Sequence, residues 1–531
     1  MKFDDYELSS PIHDEMFLSG GVPRPHARLL FDALNQLSPT ELASIQSRVH
    51  RTFSTESISF TVYGDHAPGE PAEERIIPVD PIPRIIAAAD WLTLSHGLEQ
   101  RVKALNRFLQ DVYGPAHIIA DGVVPADMIL DCPQFRPEMR DFSQPYGAWV
   151  AVCGSDIIRV TDPHVNPLVS SGVDSRIPTA ATPPSNNGPE VGAGFRVLED
   201  NLRVPSGVSY MIANRKAAKA SLPRLYRSYR VREVEQYGAA LQASLRELSP
   251  NGKPHPVLAL LTPGVYNSAY YEHMFLAREI GAELVEGKDL VVRDRVVYMR
   301  TTQGLQQVDV IYRRIDDDFL DPRVFRRDSL LGAPGLIEAA RAGNVTLANA
   351  PGTGVADDKS VYVYVPDMVR YYLGEEPVLK NVETYLCRRP EDLEYTLDNI
   401  ANLVVKRVGE SGGYGMLIGP HATPEERDEY ARAVRANPKD FISQPVQSFS
   451  RAPCLVPRHS ALDAESSKTP DLAFEPRHVD LRPFILNGMQ TRIVPGAFCR
   501  VALRRGSLVV NSSQGGGGKD VWVLAEDEYN S

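Results

Sequence analysis

The chain has 531 residues, and its 57 Lys and Arg residues against 68 Asp and Glu residues give a formal net charge of −11. This acidic balance argues against nucleic acid as the main partner, and the absence of any run of ~18 apolar residues argues against a membrane-spanning helix. Hydrophobic residues at 43% and charged residues at 24% are typical of a soluble globular enzyme, and this length predicts about two to four domains.

The cysteines and the first residues of the chain both bear on where the protein works. The five cysteines show no CxxC pair and no spacing typical of a zinc site, so we expect reduced, mostly buried thiols. The first residues, MKFDDYELSSPIHDEM, are acidic and contain no apolar run, so we expect no signal peptide. These patterns predict a cytoplasmic protein.

The first 135 residues are predicted to be mainly helical. The stretch HARLLFDALNQLSPTELASIQSRVHRTF has apolar residues at helical spacing, and Ser38 with Glu41 forms a capping-box pattern. The stretch PIPRIIAAADWLTLSHGLEQRVKALNRFLQDVYG repeats this spacing, with a proline-rich entry and a glycine exit. We therefore expect two long helical segments here, the second beginning at the prolines.

Short strands follow, and one of them ends in a polar cluster. In VLEDNLRVPSG, alternation along a strand puts Glu199 and Asn201 on one face and Asp200 on the other. Two neighbouring oxygen ligands on a strand suit a magnesium ion that carries phosphates, although a strand that simply ends in a polar turn is the alternative. Residues 162–194, rich in Pro, Gly, Ser and Asn, are predicted to be an exposed insertion between two strands.

An alternating pattern of strands and helices comes next. Four stretches are predicted to be strands: PVLALLTPG, AELVEG, VVYMRT and VDVIYRRID. One stretch, NSAYYEHMFLAREIG, is predicted to be a helix that ends at a glycine. This alternation predicts an α/β fold with a mostly parallel, Rossmann-like sheet. It contains no GxGxxG fingerprint, so dinucleotide binding is not supported.

Two stretches near residue 400 have the residue types that bind phosphates. In LVVKRVGESGGYGMLIG, Lys406 ends a strand before a glycine-rich turn whose backbone amides can approach phosphate oxygens, the alternative being a glycine hairpin with an exposed lysine. In GTGVADDKSVYVYV, Asp357, Asp358 and Lys359 lie at the start of a helix, where acidic residues also serve as an ordinary cap.

The last strands add further polar groups. Gln444 in FISQPVQ lies on a short strand whose backbone can bond a purine. Asp480 and Arg482 flank one position of a later strand, Arg500 lies on another, and Asn511 precedes a four-glycine loop. Converging arginines suit the charge of a transferring phosphoryl group, and a twisted sheet with surface arginines and a loose loop is the alternative.

Taken in order, the motifs of the C-terminal half resemble the nucleotide half of an ATP-grasp ligase. In such ligases the strands that bind the metal normally follow the nucleotide half in the chain. Here the corresponding stretches, GSDIIR and VLEDNLRVPSG, precede it. This order is similar to that of circularly permuted ATP-grasp proteins of type 2, distant relatives of glutathionylspermidine synthase, over about residues 140–525. After the mainly helical region at 1–135, the resemblance implies the permuted metal-binding part at 136–215, a Rossmann-like pre-ATP-grasp domain at 216–350 and the nucleotide-binding part at 351–531.

The resemblance also implies roles for individual residues. The ATP-binding residues would be Lys359, Lys406, Gln444 and Asn511, with Gly412, Gly413, Tyr414 and Gly415 in the loop that folds over the phosphates. The ligands of Mg²⁺, or of Mn²⁺ in its place, would be Asp156, Glu199 and Asn201. Many such ligases have an arginine just before the metal-binding aspartate, where this chain has Ser155. The catalytic arginine would then be Arg482, Arg500, Arg203 or Arg159.

The implied activity is ATP-dependent ligation of a carboxylate to an amine. ATP would phosphorylate a small-molecule or peptide carboxylate, and an amine would displace the phosphate to give an amide or peptide-like bond with release of ADP and phosphate. Two alternatives stay open: a catalytically weak ATP-binding scaffold of a larger assembly, and another phosphoryl-transfer enzyme such as a kinase. The sequence identifies neither substrate, and it is compatible with an oligomer.

Overall fold

The computed structural model of the protein describes residues 3–8, 12–18, 21–55, 58–62, 73–161, 193–409, 415–457, 472–511 and 516–526. All but the last two residues of the predicted insertion at 162–194 lie outside these ranges. Gly412, Gly413 and Tyr414 of the predicted phosphate loop also lie outside them. Every structural statement below concerns the described residues.

The described residues form fourteen α-helices spread over the chain. In chain order they are α1 Arg28–Gln36, α2 Pro39–Thr55, α3 Ala88–Val112, α4 His117–Ala120, α5 Ala126–Leu130, α6 Val208–Ser221, α7 Pro223–Ser228, α8 Tyr237–Glu247, α9 Tyr270–Ile280, α10 Leu336–Arg341, α11 Gly354–Asp357, α12 Val365–Leu373, α13 Pro390–Asp398 and α14 Pro424–Ala436.

The same residues form twenty-two β-strands. In chain order they are β1 Ser59–Val62, β2 Glu73–Ile76, β3 Val79–Ile86, β4 Val152–Thr161, β5 Ala193–Asn201, β6 Leu258–Leu261, β7 Glu283–Val285, β8 Leu290–Arg293, β9 Val296–Thr301, β10 Gly304–Gln307, β11 Val310–Arg313, β12 Thr346–Ala348, β13 Lys380–Asn381, β14 Tyr385–Leu386, β15 Leu403–Arg407, β16 Met416–Ile418, β17 Phe441–Pro445, β18 Arg451–Pro457, β19 Leu472–His478, β20 Arg482–Asn487, β21 Thr491–Val501 and β22 Gly517–Val523.

A seven-stranded sheet joins the two ends of the chain. Its strand order is β13-β5-β4-β20-β21-β22-β3, so that strands from the first 201 residues lie beside strands from beyond residue 480. Nine of the ten residues of β4 are buried, as expected of a strand in the middle of a covered sheet. The strands predicted to bind metal therefore pair with the last strands of the chain, in keeping with the predicted permutation.

A second, antiparallel sheet carries the predicted lysine strand. Its order is β14-β17-β15-β16, and Val404 of β15 lies opposite Gln444 of β17. Because side chains alternate along a strand, Val404 and Lys406 share one face, while Leu403 and Val405 are buried on the other. This sheet and the seven-stranded sheet face the same cavity.

Parallel strands form a third sheet, as the alternating pattern predicts. Its order is β12-β11-β6-β7, with every pair parallel, and α9 follows β6 and ends at Gly281, whose positive φ of 59° favours glycine. The predicted strand VVYMRT is not part of it: β9 instead pairs antiparallel with β8 and β10. The mixed α/β fold class is thus confirmed, whereas the Rossmann-like assignment and the four domain boundaries stay predictions.

The N-terminal region is mainly helical, with one difference from the sequence prediction. Ser38 caps α2 as predicted, since its Oγ accepts a hydrogen bond from the Glu41 backbone at 3.2 Å. The proline-rich stretch predicted to begin the second helix is instead β3, and α3 begins only at Ala88. β3 is the last strand of its sheet, where the missing N–H groups of Pro81 and Pro83 are tolerated.

Helix α3 supplies much of the core that supports the central sheet. It is 25 residues long, and most of its large apolar side chains, including Trp91, Leu98 and Phe108, are almost completely buried, with Leu92 as an exposed exception. Next to it, the ring of Tyr113 stacks on that of Trp149 at 4.9 Å between centroids. Among the described residues, no helix combines the length and apolar character needed to cross a membrane.

Candidate active site

One cavity of about 360 Å³ brings together most of the residues singled out from the sequence. It lies between the seven-stranded sheet and the antiparallel sheet that contains β15 and β17. The predicted or noted residues that line it are Asp156, Glu199, Asn201, Lys359, Lys406, Gln444, Asp480, Arg482, Arg500 and Asn511. These residues are spread over positions 156 to 511 of the chain, so their proximity is produced by the fold.

The predicted metal ligands share one face of two neighbouring strands. In the antiparallel pair β4–β5, Asp156 lies opposite Glu199 and Gly154 lies opposite Asn201. The pairing shifts register directly after Asp156, where a bulge turns the strand. The Asn201 amide nitrogen donates to the Gly154 carbonyl at 3.0 Å, which leaves the amide oxygen as the available ligand.

The opposite face of this strand pair has a structural role. Asp200 is buried and forms an ion pair with Arg101, with a distance of 2.5 Å between Nη2 and Oδ2. The Ser155 hydroxyl also donates to Asp200, at 2.6 Å. Ser155 therefore faces away from the cavity. An arginine at this position could reach the cavity only by displacing the buried ion pair of Asp200 and Arg101.

The two predicted ATP-binding lysines both reach the cavity. Nζ of Lys406 donates to Oε1 of Gln444 at 2.7 Å, and Nε2 of Gln444 donates in turn to the Thr384 hydroxyl at 2.9 Å. Desolvation lowers the pKa of Lys406 to about 8, a shift that Glu199 opposes. Nζ of Lys359 lies 3.5 Å from a carboxylate oxygen of Glu199. The cavity therefore has two cationic groups close to its carboxylates.

Two arginines converge on Asp156 from the far end of the chain. Nε and Nη2 of Arg482 donate to its two carboxylate oxygens at 2.5 and 2.8 Å, and Nη2 of Arg500 donates to Oδ2 at 2.6 Å. Despite burial, these guanidinium groups hold the pKa of Asp156 well below its usual range. Asp156 is thus ionised and firmly oriented.

Arg500 is itself fixed by a second carboxylate and an amide. Its Nε donates to Oδ2 of Asp480 at 2.8 Å, and its Nη1 donates to Oδ1 of Asn511 at 2.8 Å. Burial raises the pKa of Asp480, although Arg500 opposes that shift. The predicted ATP-binding residue Asn511 therefore lines the cavity while it orients an arginine.

The other two candidate arginines do not line the cavity. Nε of Arg203 donates to Asp357 at 2.6 Å, in a small neighbouring depression. Arg159 is buried and lies 2.8 Å from Asp90 and 3.5 Å from Glu15, with its guanidinium over the ring of Phe195. The structure thus separates Arg482 and Arg500 from Arg203 and Arg159. Arg203 lines that depression together with Glu199, Asn201 and Lys359, so its catalytic role stays a prediction.

Gly415 is the described end of the predicted phosphate loop. It is exposed, it precedes β16, and its φ of 61° lies in the left-handed region that favours glycine. It does not belong to the lining of the cavity as described.

The donor set of the cavity fits a hard divalent cation. Two carboxylates and one amide oxygen on one sheet face are ligands that Mg²⁺ and Mn²⁺ accept. Of the oxygens of Asp156, Oδ1 accepts one hydrogen bond and so keeps a lone pair free for a metal. The described residues contain no group of three or more His, Cys, Asp or Glu side chains suited to a metal. A cation here would therefore depend on Asn201, on solvent and on phosphate oxygens for its remaining ligands.

Several lining residues were not singled out from the sequence. Beyond the metal ligands the wall is formed by Pro205, Ser206, Tyr210 and Phe498. Pro205 and Ser206 follow the polar cluster at the end of β5, and that position was the sequence signal that could have identified them. Tyr210 and Phe498 lie on α6 and β21, whose residues are mostly buried, so nothing local distinguished them from core residues.

The chain matches one known protein family over most of its length. Residues 83–168 and 190–502 match the sequence pattern of the family described as circularly permuted ATP-grasp type 2. The chain is 48% identical over 526 residues to an uncharacterized protein of Synechocystis, covering 99% of both chains. It is 44% identical to an uncharacterized protein of Mycobacterium tuberculosis, covering 96% of this chain and 84% of that one.

Two further comparisons concern ligases and fold. A Frankia casuarinae protein with the provisional name glutamate–cysteine ligase 2-2 is 40% identical over 513 residues, which cover 96% of this chain and 53% of that protein. The structure of a glutathione synthetase-like effector from Globodera pallida aligns over 92% of this chain and 98% of that one, with a TM-score of 0.55 and 9% identity, a likeness of fold alone. The chain therefore belongs to the circularly permuted ATP-grasp type 2 family.

Proposed function

We propose that this protein joins a carboxylate to an amine at the expense of ATP, through an acyl-phosphate intermediate, and releases ADP and phosphate. One observation carries the proposal: Asp156, Glu199 and Asn201 line the same cavity as Lys406, about two hundred residues later in the chain. Ordinary strand and turn geometry gives no reason for that proximity, whereas a shared nucleotide and metal site does. Membership of a ligase family and the name of the Frankia relative support the same reaction type.

ATP would lie along the face that carries Lys406. Val404, Met416 and Ile418 offer an apolar surface for the adenine, and Gln444 lies beside them on β17. Lys406 and Lys359 would contact the phosphates as charge-assisted donors. Since desolvation disfavours the charged form of Lys406, a nearby phosphate would restore its full protonation.

Asp156, Glu199 and Asn201 would hold Mg²⁺, with Mn²⁺ as the alternative ion. When bound, the ion supplies charge neutralisation for the phosphates. Glu199 now lies near Lys359, and both groups would turn toward the phosphates and their cation. The remaining lone pair of Asp156 and the amide oxygen of Asn201 complete the protein ligands.

The reaction would proceed in two displacements. A carboxylate oxygen of the substrate attacks the γ-phosphorus, the bond from that phosphorus to the β–γ bridging oxygen breaks, and ADP leaves. The amine then attacks the acyl carbon, the carbon–oxygen bond to phosphate breaks, and the amine gives up a proton. Arg482 and Arg500, which line the cavity, would stabilise the charge on the transferring phosphoryl group.

The substrates are proposed only as classes. The Frankia relative is named for ligation of glutamate and cysteine, but it is almost twice as long as the region matched here. We propose a small-molecule or peptide carboxylate and an amine for this chain. The apolar end of the cavity, with Tyr210 and Phe498, would receive the part of the acceptor that lies beyond the reacting carboxylate.

An ADP-release assay on pairs of candidate carboxylates and amines tests the proposal. We expect release that needs both partners and Mg²⁺, with loss in Lys406→Ala and retention in Lys439→Ala, which alters an exposed lysine paired with Asp131. With carboxylate alone and hydroxylamine present, an acyl phosphate would be trapped as a hydroxamate. ADP release with a stable phosphorylated product and no need for an amine would indicate a kinase. ATP binding without turnover in any pair would indicate a scaffold.

A further inference from the structure

The loop that follows β5 and lines the active cavity is held in place by the parallel sheet. This loop, here called the wall loop, consists of Pro205, Ser206 and Gly207. Arg314, directly after β11, donates from Nη1 to the Pro205 carbonyl at 2.7 Å. Glu272, in the first turn of α9, accepts the backbone N–H of Gly207 at 2.9 Å. Neither Glu272 nor Arg314 is among the described residues that line the active cavity, so both act on it through the wall loop.

Glu272 and Arg314 form a buried ion pair. Nη2 of Arg314 lies 3.1 Å from Oε1 of Glu272, and the two residues are 4% and 0% exposed. The other carboxylate oxygen, Oε2, accepts hydrogen bonds from Gly207 and from the backbone N–H and the hydroxyl of Ser209, at 3.1 and 2.9 Å. Buried charges need such partners, because they have lost their hydrogen bonds to water. A displaced wall loop would leave both charges with fewer partners, so the ion pair and the loop stabilise each other.

The ion pair lies where an open parallel sheet usually binds a ligand. The strands β6 and β11 are neighbours, and the chain continues from them to opposite sides of the sheet, to β7 and β12. Ligands of such sheets bind in the crevice at the carboxyl ends of the two strands. Glu272 and Arg314 follow the carboxyl ends of β6 and β11, and here they bind the wall loop instead. The parallel sheet therefore supports one wall of the active cavity.

The wall loop in turn orients Arg482. Nη1 of Arg482 donates to the Ser206 carbonyl at 3.2 Å, while Nε and Nη2 donate to Asp156. Two of the five guanidinium N–H groups then remain for a phosphoryl oxygen. The loop has little room to shift on its other side, since a Cβ at Gly207 would lie 2.8 Å from the ring of Phe498. Arg482 thus takes its position from Asp156 and from the wall loop together.

We propose that Glu272 and Arg314 are positioning residues for the ligase reaction, because they hold the wall loop where its Ser206 carbonyl orients Arg482. This inference rests on the proposed function, which assigns Arg482 to the transferring phosphoryl group. A misplacement of ~1 Å in a reacting site can cost about 10²-fold in rate. A role in folding alone would instead lower stability and leave kcat per folded molecule unchanged.

The test uses the double variant Glu272→Met with Arg314→Met, because a buried ion pair replaced by apolar side chains of similar volume usually folds. We expect kcat about 10–100-fold below wild type, with the KM for ATP within about threefold. Hydrogen exchange should become faster in peptides that contain residues 205–209. The matched control is Asp309→Asn, which alters another buried carboxylate of the parallel sheet, paired with Lys253 at 2.7 Å and placed at the opposite end of β11. The control should keep the kcat and the exchange rate of wild type.

Three results would overturn the proposal: an unchanged kcat in the double variant, unchanged exchange at residues 205–209, or an equal loss of kcat in Asp309→Asn. If the double variant does not fold, as judged by circular dichroism, Arg314→Lys takes its place. It keeps the positive charge beside Glu272 but lacks the second arm that reaches Pro205. A lower kcat in Arg314→Lys supports the proposal, and a wild-type kcat overturns it.

A readout without turnover separates this proposal from the proposed function. If wild type turns over no pair of substrates, the proposed function has failed, and labelling of Arg482 by phenylglyoxal, followed by peptide mass spectrometry, decides the positioning role. Faster labelling of Arg482 in the double variant than in wild type and Asp309→Asn supports that role. Equal labelling rates in the three proteins overturn it.

Discussion

Asp156 and Arg482 form a two-pronged ion pair although 326 residues separate them in the chain. Both lie on neighbouring strands of the central sheet, β4 and β20, which pair antiparallel through Gly154 and Phe484. The pair therefore joins the predicted metal end of the site to the predicted phosphoryl-binding end.

The arginine that acts on the phosphoryl group can be identified by substitution. Arg482→Met should lower kcat by about 10²–10³-fold, as removal of a preorganised donor to a transition state does, with a smaller change in KM for ATP. Arg203→Met should leave kcat within a few-fold of wild type, since Arg203 contacts Asp357 outside the cavity. Steady-state kinetics on both variants measures this. A larger loss in Arg203→Met would reverse the assignment.

Adjacent residues on β5 should respond in opposite ways. Glu199→Gln should reduce Mg²⁺-dependent turnover on the order of 10²-fold or more and change the free energy of unfolding little, since Glu199 faces the cavity. Asp200→Asn should instead cost about 3–5 kcal/mol of stability, because it leaves the buried charge of Arg101 without its partner. Denaturant unfolding and metal titration of activity separate the two effects. Equal destabilisation by both would contradict the division of faces.

ATP affinity should depend on Lys406. Lys406→Ala removes a charge-assisted contact to phosphate worth ~1.5–3 kcal/mol, so calorimetry with Mg-ATP should find a Kd about 10–100-fold higher. Lys439→Ala, which changes an exposed lysine, is the matched control and should bind ATP as wild type does. An unchanged ATP affinity in Lys406→Ala would remove this residue from the site.

Stability should fall as the pH drops below about 6.5. Burial lowers the pKa of His273 and of His13 to about 2, so both stay neutral in the native state while the unfolded chain takes up protons. Each then costs about 2 kcal/mol of stability at pH 5. Asp14 has the opposite effect on stability below pH 6. Burial raises the pKa of its carboxyl in the native state to about 6, so the native state takes up this proton at a higher pH than the unfolded chain does.

His273→Gln tests whether His273 causes part of this fall in stability at low pH. The imidazole Nδ1 lies 2.9 Å from the Thr262 hydroxyl, and Arg314 lies close enough to lower its pKa further. An uncharged glutamine should reduce the pH dependence of unfolding by close to one proton between pH 6.5 and 5. Urea unfolding at several pH values measures how many protons are taken up on unfolding in wild type and in the variant. An unchanged slope in the variant would contradict the assignment to His273.

Alternation along strands made part of the site predictable. The period of two separates Glu199 and Asn201 from Asp200, and the structure has that division. The pattern does not specify the register between β4 and β5 or the bulge after Asp156, because both depend on how the two strands pair. It also does not tell which arginine meets Asp156, since Arg203 is nearer in sequence and Arg482 is nearer in space.

The prediction that a helix begins at residues 81–86 was wrong for a different reason. A short apolar run with prolines is compatible with a helix entry and with an edge strand, and its periodicity alone does not separate them. What decides it is the strand it meets: β22 pairs in parallel with β3, through Val521 and Arg84 among others. That partner lies more than four hundred residues away. The parallel sheet of β6, β7, β11 and β12, by contrast, is built from close neighbours, and β6, β7 and β11 follow from the local alternation. The strand β9 was also predicted, but it pairs with β8 and β10 and lies outside that sheet.

The strand order of the central sheet has a consequence for synthesis on the ribosome. β4 and β5 pair with each other early, but β4 receives its second neighbour only when β20 has been made. At about 5–20 residues per second, the 326 residues between Asp156 and Arg482 correspond to roughly 16–65 s of translation. During that interval the free edge of β4 is open to pairing with other nascent chains, and chaperone dependence should be greatest there.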